Sequence, residues 1–160
     1  MNPPQAQEAV RSVRILVVDD EEVITLALRE TLVREGYEVV TETSPLRALE
    51  RMREMSFALC LIDQRMPELS GLEFFSQAKQ IQPDATRILM TGVVNLDTVL
   101  DAINQGEIYR FIVKPWLREE LLVTLKNGVQ RHDLLQRNRE LQRTTLAMNV
   151  QLHCLNASLA

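Results

Sequence analysis

The stretch of sequence that decides the fold is ALCLIDQRMPELSG, residues 58–71. It opens with an uninterrupted apolar run, the pattern of a strand that is buried on both faces of a sheet. The run stops at Asp63, and the segment up to Ser70 mixes polar residues with Pro67, as loops do. The amphipathic pattern that begins at Gly71 then predicts a helix to about Ile81. The stretch therefore forms one strand–loop–helix unit with an acid at the end of its strand.

The same unit repeats along the chain. Apolar, β-branched runs predict strands at 13–18, 37–41, 58–62, 87–90 and 108–113. Apolar residues three and four apart predict helices at 21–34, 44–55, 71–81 and 96–104, and a last helix from about 117. Strict alternation implies parallel strands joined by right-handed crossovers. We therefore predict an α/β fold, a doubly wound five-stranded parallel sheet with an extended C-terminal helix.

Length and composition favour one compact domain with an appendage, since the chain has 160 residues and is 46% hydrophobic. Residues 1–12 carry two prolines but no periodic apolar pattern, which predicts a disordered leader. The repeating units then place the domain at 13–132. Residues 133–160 are expected to form a helical extension or linker that makes a coiled coil.

The charge balance excludes some classes of partner. A formal net charge of -4 argues against a general nucleic-acid binder, which usually carries a basic excess. No apolar run approaches the roughly 18 residues that a membrane span needs. The two cysteines, Cys60 and Cys154, match no metal or redox spacing. We expect a cytoplasmic protein that binds neither nucleic acid nor a membrane.

Polar side chains follow four of the predicted strands. The acids Asp19 and Asp20 follow the first strand, Asp63 the third, Thr91 the fourth and Lys114 the fifth. A single Asp after a strand is usually a helix cap or turn residue. The carboxyl ends of parallel strands meet at one edge, however, where doubly wound sheets bind ligands. Three carboxylates gathered there repel one another unless a cation compensates, and hard oxygen ligands suit Mg²⁺.

The same geometry predicts phosphoryl chemistry. A carboxylate that faces a cation can attack phosphorus and form an acyl phosphate. Asp63 stands alone at the end of a central strand and is the natural nucleophile, while Asp19 and Asp20 are adjacent and suited to holding the metal. Thr91 could donate a hydroxyl hydrogen bond to a phosphoryl oxygen, and Lys114 supplies a positive charge.

Together these segments resemble the receiver domain of two-component response regulators. The resemblance rests on LVVDDE (16–21), LIDQRMPELSG (61–71), LMTG (89–92) and KPW (114–116), and covers roughly residues 13 to 132. It implies a flavodoxin-like (βα)₅ fold. It also implies a signalling protein rather than an enzyme, one that takes a phosphoryl group from a histidine kinase and catalyses only its own phosphorylation and dephosphorylation.

The resemblance also implies roles for individual residues. Asp20, Asp63 and the backbone carbonyl of Arg65 would contact Mg²⁺, and Asp19 would contribute through water. Phosphorylation would move Thr91 and an aromatic residue on the fifth strand. That aromatic residue is Phe111, three before Lys114, and Tyr109 is expected to share its role because it lies two residues earlier on the same face.

The C-terminal segment carries a seven-residue repeat. Apolar residues recur at Leu134, Leu141, Met148 and Leu155, and a second, partial row runs through Asn138, Thr145, Leu152 and Leu159. This pattern predicts a coiled coil, and we expect a parallel homodimer through the helix. The alternative is an amphipathic tail that frays without pairing.

Two other functions remain open from the sequence. A phosphohydrolase could use Asp63 as its nucleophile, but the second acid of an Asp-x-Asp pair is replaced by Arg65. A docking or dimerisation module could dispense with phosphorylation altogether. We expect a missing or separate output domain, since the pattern looks like receivers that precede HD-GYP phosphodiesterases or AAA+ activators.

Overall fold

The computed structural model describes residues 13–92 and 96–158. The predicted leader, residues 1–12, and Leu159 in the predicted coiled coil lie outside this part of the chain. The elements, in chain order, are β1 (Arg14–Val18), α1 (Glu22–Arg34), β2 (Glu38–Glu42), α2 (Pro45–Glu54), β3 (Leu59–Asp63), α3 (Gly71–Ile81), β4 (Thr86–Thr91), α4 (Leu96–Asn104), β5 (Arg110–Val113) and α5 (Arg118–Ser158).

The five strands form one parallel sheet in the order β2-β1-β3-β4-β5. The order reverses direction between β1 and β3, and this switch point is where doubly wound sheets bind their ligands. The predicted α/β fold with a five-stranded parallel sheet and a long C-terminal helix is confirmed. The end of β3, and with it Asp63, lies directly beside the end of β1.

Two hydrophobic cores cover the two faces of the sheet. Helices α2, α3 and α4 pack on one face, where Leu16 and Ile62 are fully buried. Helices α1 and α5 pack on the other, where the neighbouring residues Val17 and Leu61 are fully buried. Successive strand residues point to opposite faces, so both faces demand apolar side chains. This requirement explains the uninterrupted apolar runs.

Helix α5 continues well past the sheet. It spans 41 residues and passes through Gly128, where the missing side chain allows close packing, since a Cβ there would lie 2.7 Å from Leu59 Cδ1. Thr86 Oγ1 donates a hydrogen bond of 2.8 Å to the carbonyl oxygen of Gly128. In the described ranges 13–92 and 96–158, no helix combines the length and apolarity that crossing a membrane requires.

Helix α3 starts very close to Asp63, the last residue of β3. The side chain of Ser70 caps the helix by accepting a hydrogen bond from the backbone N–H of Glu73. A Cβ on Gly71 would lie only 2.7 Å from the backbone oxygen of Asp63 and 2.6 Å from Leu89 Cδ1. Glycine at 71 is therefore required for the first turn of α3 to pack against the end of β3.

We expect Gly71→Ala to lower the free energy of unfolding by about 1–3 kcal/mol, the usual cost of overpacking, because the backbone at Asp63 must move. Urea denaturation measures this change. Gly92→Ala is the matched control, since a Cβ there meets no heavy atom within 4 Å, and its effect should stay within about 0.5 kcal/mol. Equal stabilities for the two variants would show that the close approach is unimportant.

Candidate functional site

Three carboxylates meet at the carboxyl edge of the sheet. One oxygen from each of Asp19, Asp20 and Asp63 lies within 4.8 Å of the others. Asp19 and Asp63 are buried, whereas Asp20 is exposed to solvent. The sequence predicted that these residues lie together, and the described structure brings them together.

Lys114 follows directly after β5, and its side chain reaches this cluster. Its Nζ atom lies 2.5 Å from Oδ2 of Asp19 and 3.1 Å from Oδ1 of Asp63. The backbone fixes the start of this side chain, because the N–H of Lys114 donates a 2.8 Å hydrogen bond to the carbonyl oxygen of Thr91. The lysine therefore bridges the acid after β1 and the acid at the end of β3.

The charges of the site shift two pKa values. Burial is the main reason that the pKa of Asp63 is raised, and the charges of Asp19 and Asp20 raise it further, while Lys114 opposes the shift. Burial alone would lower the pKa of Lys114, but its hydrogen bonds and charge interactions with Asp19 and Asp63 outweigh burial and raise it. The site thus keeps its lysine charged and disfavours the charge on Asp63.

Asp19 is oriented by the backbone on both sides. Its Oδ1 accepts a 3.0 Å hydrogen bond from the N–H of Glu21, and its own N–H donates to the carbonyl oxygen of Glu42 at 3.3 Å. These contacts leave Oδ2 to the ammonium of Lys114. The position of Asp19 is therefore set by the turn between β1 and α1.

No role for Gln64 was predicted, yet this residue organises the loop after Asp63. Its N–H donates to the carbonyl oxygen of Met90 at 2.8 Å, and its own carbonyl accepts from Gly71 at 3.0 Å. Its side-chain Oε1 accepts from the N–H of Leu72 at 3.1 Å. The residue ties β3, β4 and α3 together, and its only signal in the sequence is its place beside Asp63.

Two open cavities lie beside the carboxylates. The first, of about 310 Å³, is lined by Asp20, Glu21, Asp63, Gln64, Arg65, Gly92 and Lys114. The second, of about 790 Å³, also contacts Asp20 and Arg65 and extends to Thr91 and Thr98. Thr91 is buried and is the last residue of β4. The side chain of Arg65 is exposed.

The residues present fit a divalent cation. Three carboxylates against a single lysine leave an excess of negative charge, and two of the three acids are buried. Carboxylate oxygens are the ligands that Mg²⁺ prefers, and Asp20 keeps its side of the cluster open to solvent. The acidic cluster required for the predicted magnesium site is therefore present.

The two predicted switch aromatics do not share a face. Phe111 is half-buried and packs against the core formed with α2, α3 and α4. Tyr109 precedes β5 and packs instead against the core formed with α1 and α5, where its ring centroid lies 5.5 Å from the guanidinium carbon of Arg131 and 5.2 Å from that of Arg110. The expectation that Tyr109 lies on the face of Phe111 is wrong, because strand alternation does not extend to a residue outside the strand.

Comparison with known families identifies one match that covers most of the domain. A family described as "Response regulator receiver domain" matches residues 15–126. This range runs from β1 to the part of α5 that packs on the sheet.

Similar proteins include a transcriptional regulatory protein and a chemotaxis protein. The hydrogenase transcriptional regulatory protein HoxA of Cupriavidus necator is 34% identical over 120 residues, which are 75% of this chain and 25% of HoxA. The chemotaxis protein CheY of Bacillus subtilis is 36% identical over 110 residues, 68% of this chain and 91% of CheY. The chain thus spans about a quarter of the length of HoxA but nearly all of the length of CheY.

Solved structures show the same likeness. The signal receiver domain of an HD domain-containing protein from Pseudomonas fluorescens Pf-5 has a TM-score of 0.76 at 30% identity, over 83% of this chain and 98% of that one. The beryllofluoride-activated NtrC4 receiver domain dimer has a TM-score of 0.70 at 36% identity, over 74% and 98%. The response regulator TrrA of Thermotoga maritima, in complex with Mg²⁺ and BeF, has a TM-score of 0.66 at 33% identity, over 72% and 98%.

Without divalent cations, we expect Asp63→Asn to raise the free energy of unfolding at pH 7. The substitution removes a carboxylate whose ionised form is disfavoured by burial and by Asp19. Since the pKa of Asp63 is higher in the folded than in the unfolded chain, the penalty is absent below about pH 4, the unfolded pKa, and grows as the pH rises through the folded pKa. Thermal unfolding in EDTA from pH 4 to 7 measures the difference.

The exposed Asp101→Asn is the matched control and should show no such pH-dependent gain. Adding Mg²⁺ should stabilise the wild type, by about 2.7 kcal/mol at a concentration 100 times its Kd, and should stabilise Asp63→Asn less. If Asp63→Asn is less stable than the wild type at pH 7 in EDTA, the ionised carboxylate of Asp63 does not destabilise the folded chain, and this explanation is wrong.

Proposed function

Because the chain belongs to the receiver domain family of response regulators, we propose that Asp63 accepts a phosphoryl group from a histidine kinase. The observation that carries this proposal is the contact between Lys114 Nζ and Oδ1 of Asp63, at 3.1 Å, on the wall of an open cavity. A buried carboxylate paired with an ammonium and open to a ligand on one side is suited to nucleophilic attack.

The proposed reaction transfers phosphorus from nitrogen to oxygen. A carboxylate oxygen of Asp63 attacks the phosphorus of a phosphohistidine, the P–N bond breaks, and its electron pair stays on the imidazole. The product on this chain is an acyl phosphate. The raised pKa of Asp63 reflects an ionised form that is poorly stabilised, and conversion to an acyl phosphate moves the negative charge outward into the cavity.

The neighbouring residues would stabilise the transferred group. The ammonium of Lys114, already held by Asp19, neutralises a phosphoryl oxygen, and the hydroxyl of Thr91 donates a hydrogen bond to another. Asp20, Asp63 and the carbonyl of Arg65 would hold Mg²⁺, with Asp19 acting through water. The bound metal would neutralise the carboxylates and the phosphoryl oxygens. The similar protein TrrA, which was solved with Mg²⁺ and BeF, supports this assignment.

The signal would leave the site through β4 and β5. Thr91, at the end of β4, is aligned with Val113 on β5, and Leu89 is aligned with Phe111. We expect a shift of Thr91 towards the phosphoryl group to be accompanied by a change in the packing of Phe111. Since Phe111 has no hydroxyl group, this change is one of packing alone.

The proposal predicts that Mg²⁺ and acetyl phosphate together increase the mass of the wild-type chain by one phosphoryl group. Asp63→Asn should show no increase, because it removes the nucleophile, whereas the control Asp101→Asn should behave like the wild type. Intact-protein mass spectrometry measures the outcome. An equal increase in Asp63→Asn would mean that another residue accepts the group, and continuous release of phosphate would favour the phosphohydrolase instead.

The extension, residues 133–160, is proposed to join two copies of the chain and to pass the signal to an output module. On its described part, Leu134, Leu141, Met148 and Leu152 lie along one side of the helix and are 58–67% exposed. Such a row of apolar side chains is typical of a coiled-coil seam. The NtrC4 receiver, solved as a dimer, shows that a similar domain can pair.

Leu141→Ser should therefore shift the chain from dimer towards monomer, because it removes a large apolar side chain from the centre of the row. Sedimentation equilibrium over a range of concentrations measures the shift. Val150→Ser is the control, since Val150 has a similar exposure of 62% but lies on another face of the helix. If both variants dimerise as the wild type does, Leu141 is not at the interface.

A further inference from the structure

The first residues of the extension, up to Arg139, contact the receiver domain of the same chain. Asp84, in the loop between α3 and β4, accepts a hydrogen bond of 3.1 Å from Nε2 of Gln136 and forms an ion pair with Arg139, whose Nε lies 2.7 Å from the carboxylate. The side chain of Asp84 is only 13% exposed, so it holds both partners in a sheltered position. The helix thus stays on the domain for about two turns beyond the predicted boundary at 132.

These contacts fix the direction in which the apolar row faces. At 3.6 residues per turn, Gln136 and Arg139 lie on the side of the helix opposite to Asn138 and Leu141. The side that carries Gln136 and Arg139 is bound to the receiver, so the side with Leu141 faces away from it. A second chain can therefore approach the row without meeting the receiver domain of the first.

The row has the shape of a coiled-coil socket. The spacing of the two rows assigns Asn138 and Thr145 to a positions and Leu141 to a d position of the heptad. An open groove of about 500 Å³ is lined by Asn138, Leu141, Gln142, Thr145 and Leu146. The first four of these residues occupy positions a, d, e and a, the hole that receives a d-position side chain from a parallel partner helix.

The polar residues of the seam favour a parallel over an antiparallel pair. In a parallel pair in register, Asn138 faces Asn138, and the two side-chain amides can hydrogen-bond to each other. Thr145 faces Thr145, and its hydroxyl donates a 2.9 Å hydrogen bond to the carbonyl oxygen of Leu141 in its own helix. In an antiparallel pair each a position faces a d position, so Asn138 would meet a leucine or methionine. An amide buried against an apolar side chain without a partner costs about 1–3 kcal/mol.

The charges beside the seam are also compatible with self-pairing. In the parallel arrangement Arg137, at a g position, lies next to Gln142 of the other copy, and Thr144 lies next to Asn149. A symmetric dimer can bring like charges together across its seam. Neither of these two pairs does so.

We propose that two copies of this chain pair through the extension as a parallel, in-register coiled coil, in which Leu141 of each chain fills the groove between Asn138 and Thr145 of the other. Asp84 holds each extension so that this surface faces outward. This inference rests on the proposed self-association of the extension and on the parallel orientation expected from the sequence, and it adds the register and the residues in contact.

Disulfide trapping tests the orientation. In a Cys154→Ala background, Asn138→Cys and Leu152→Cys each place one new thiol at an a position, and both are expected to form disulfide-linked dimers on mild oxidation. Arg143→Cys is the control. It places the new thiol on the opposite side of the helix, so we expect no disulfide-linked dimer. Cys60 should stay unreactive, because it is fully buried and its pKa is raised to about 12.

The outcomes separate the inference from the proposals on which it rests. An antiparallel pair brings at most one of positions 138 and 152 opposite itself, so a dimer that crosslinks at only one of them, or at neither, overturns the parallel arrangement while self-association stands. A monomer by sedimentation, with no crosslink at either position, overturns both. Phosphorylation of Asp63 in each variant shows that its receiver domain is folded, independently of either result.

Discussion

The ammonium of Lys114 lies between two buried carboxylates, 2.5 Å from Asp19 and 3.1 Å from Asp63, and the arrangement of the site depends on this contact. A third acid, Asp20, adds a negative charge that the single lysine does not balance. Burial makes this imbalance costly, because charges in a partly dry site are poorly screened. A divalent cation is the natural means of relieving it.

The fold supplies the positions that this electrostatic arrangement needs. Parallel strands bring Asp19, Asp63 and Lys114 to one edge although they lie far apart in the chain. Hydrogen bonds from the N–H groups of Gly71 and Leu72 to Gln64 hold the loop after β3 against the start of α3. The same sheet connects the site to the opposite edge, where the loop before β4 holds α5 through Asp84. The length of β4 thus separates the proposed phosphorylation site, at the end of the strand, from Asp84, which lies before its start and contacts the extension.

Much of this arrangement could be predicted from the sequence, because it follows from hydrophobic periodicity and from parallel topology. The bounds of α3 and α4 agree with the prediction, and the polar residues after the strands do lie together. The ends of β3 and β4 were placed one residue too early, since Asp63 and Thr91 are polar residues that still pair within the sheet.

The features that could not be predicted depend on tertiary contacts. Tyr109 was placed on the wrong face because it precedes β5 and does not follow the alternation of that strand, and its ring lies against Arg131 of α5. Gln64 accepts a hydrogen bond from the N–H of Leu72, and Asp84 binds Gln136 and Arg139. No local sequence pattern relates the residues in either set of contacts. Gly128 lowers helix propensity locally, yet α5 runs through it because close packing on β3 and β4 compensates.

We propose that Asp63 is the acceptor in a site where Asp20 holds the metal and Lys114 and Thr91 hold the transferred group. A crystal structure of the chain with Mg²⁺ and beryllofluoride tests this assignment of roles. We expect beryllofluoride bound to a carboxylate oxygen of Asp63, in contact with the ammonium of Lys114 and the hydroxyl of Thr91, with the metal on Asp20 and Asp63. Beryllofluoride bound to a different residue, or a metal that does not touch Asp63, would contradict it.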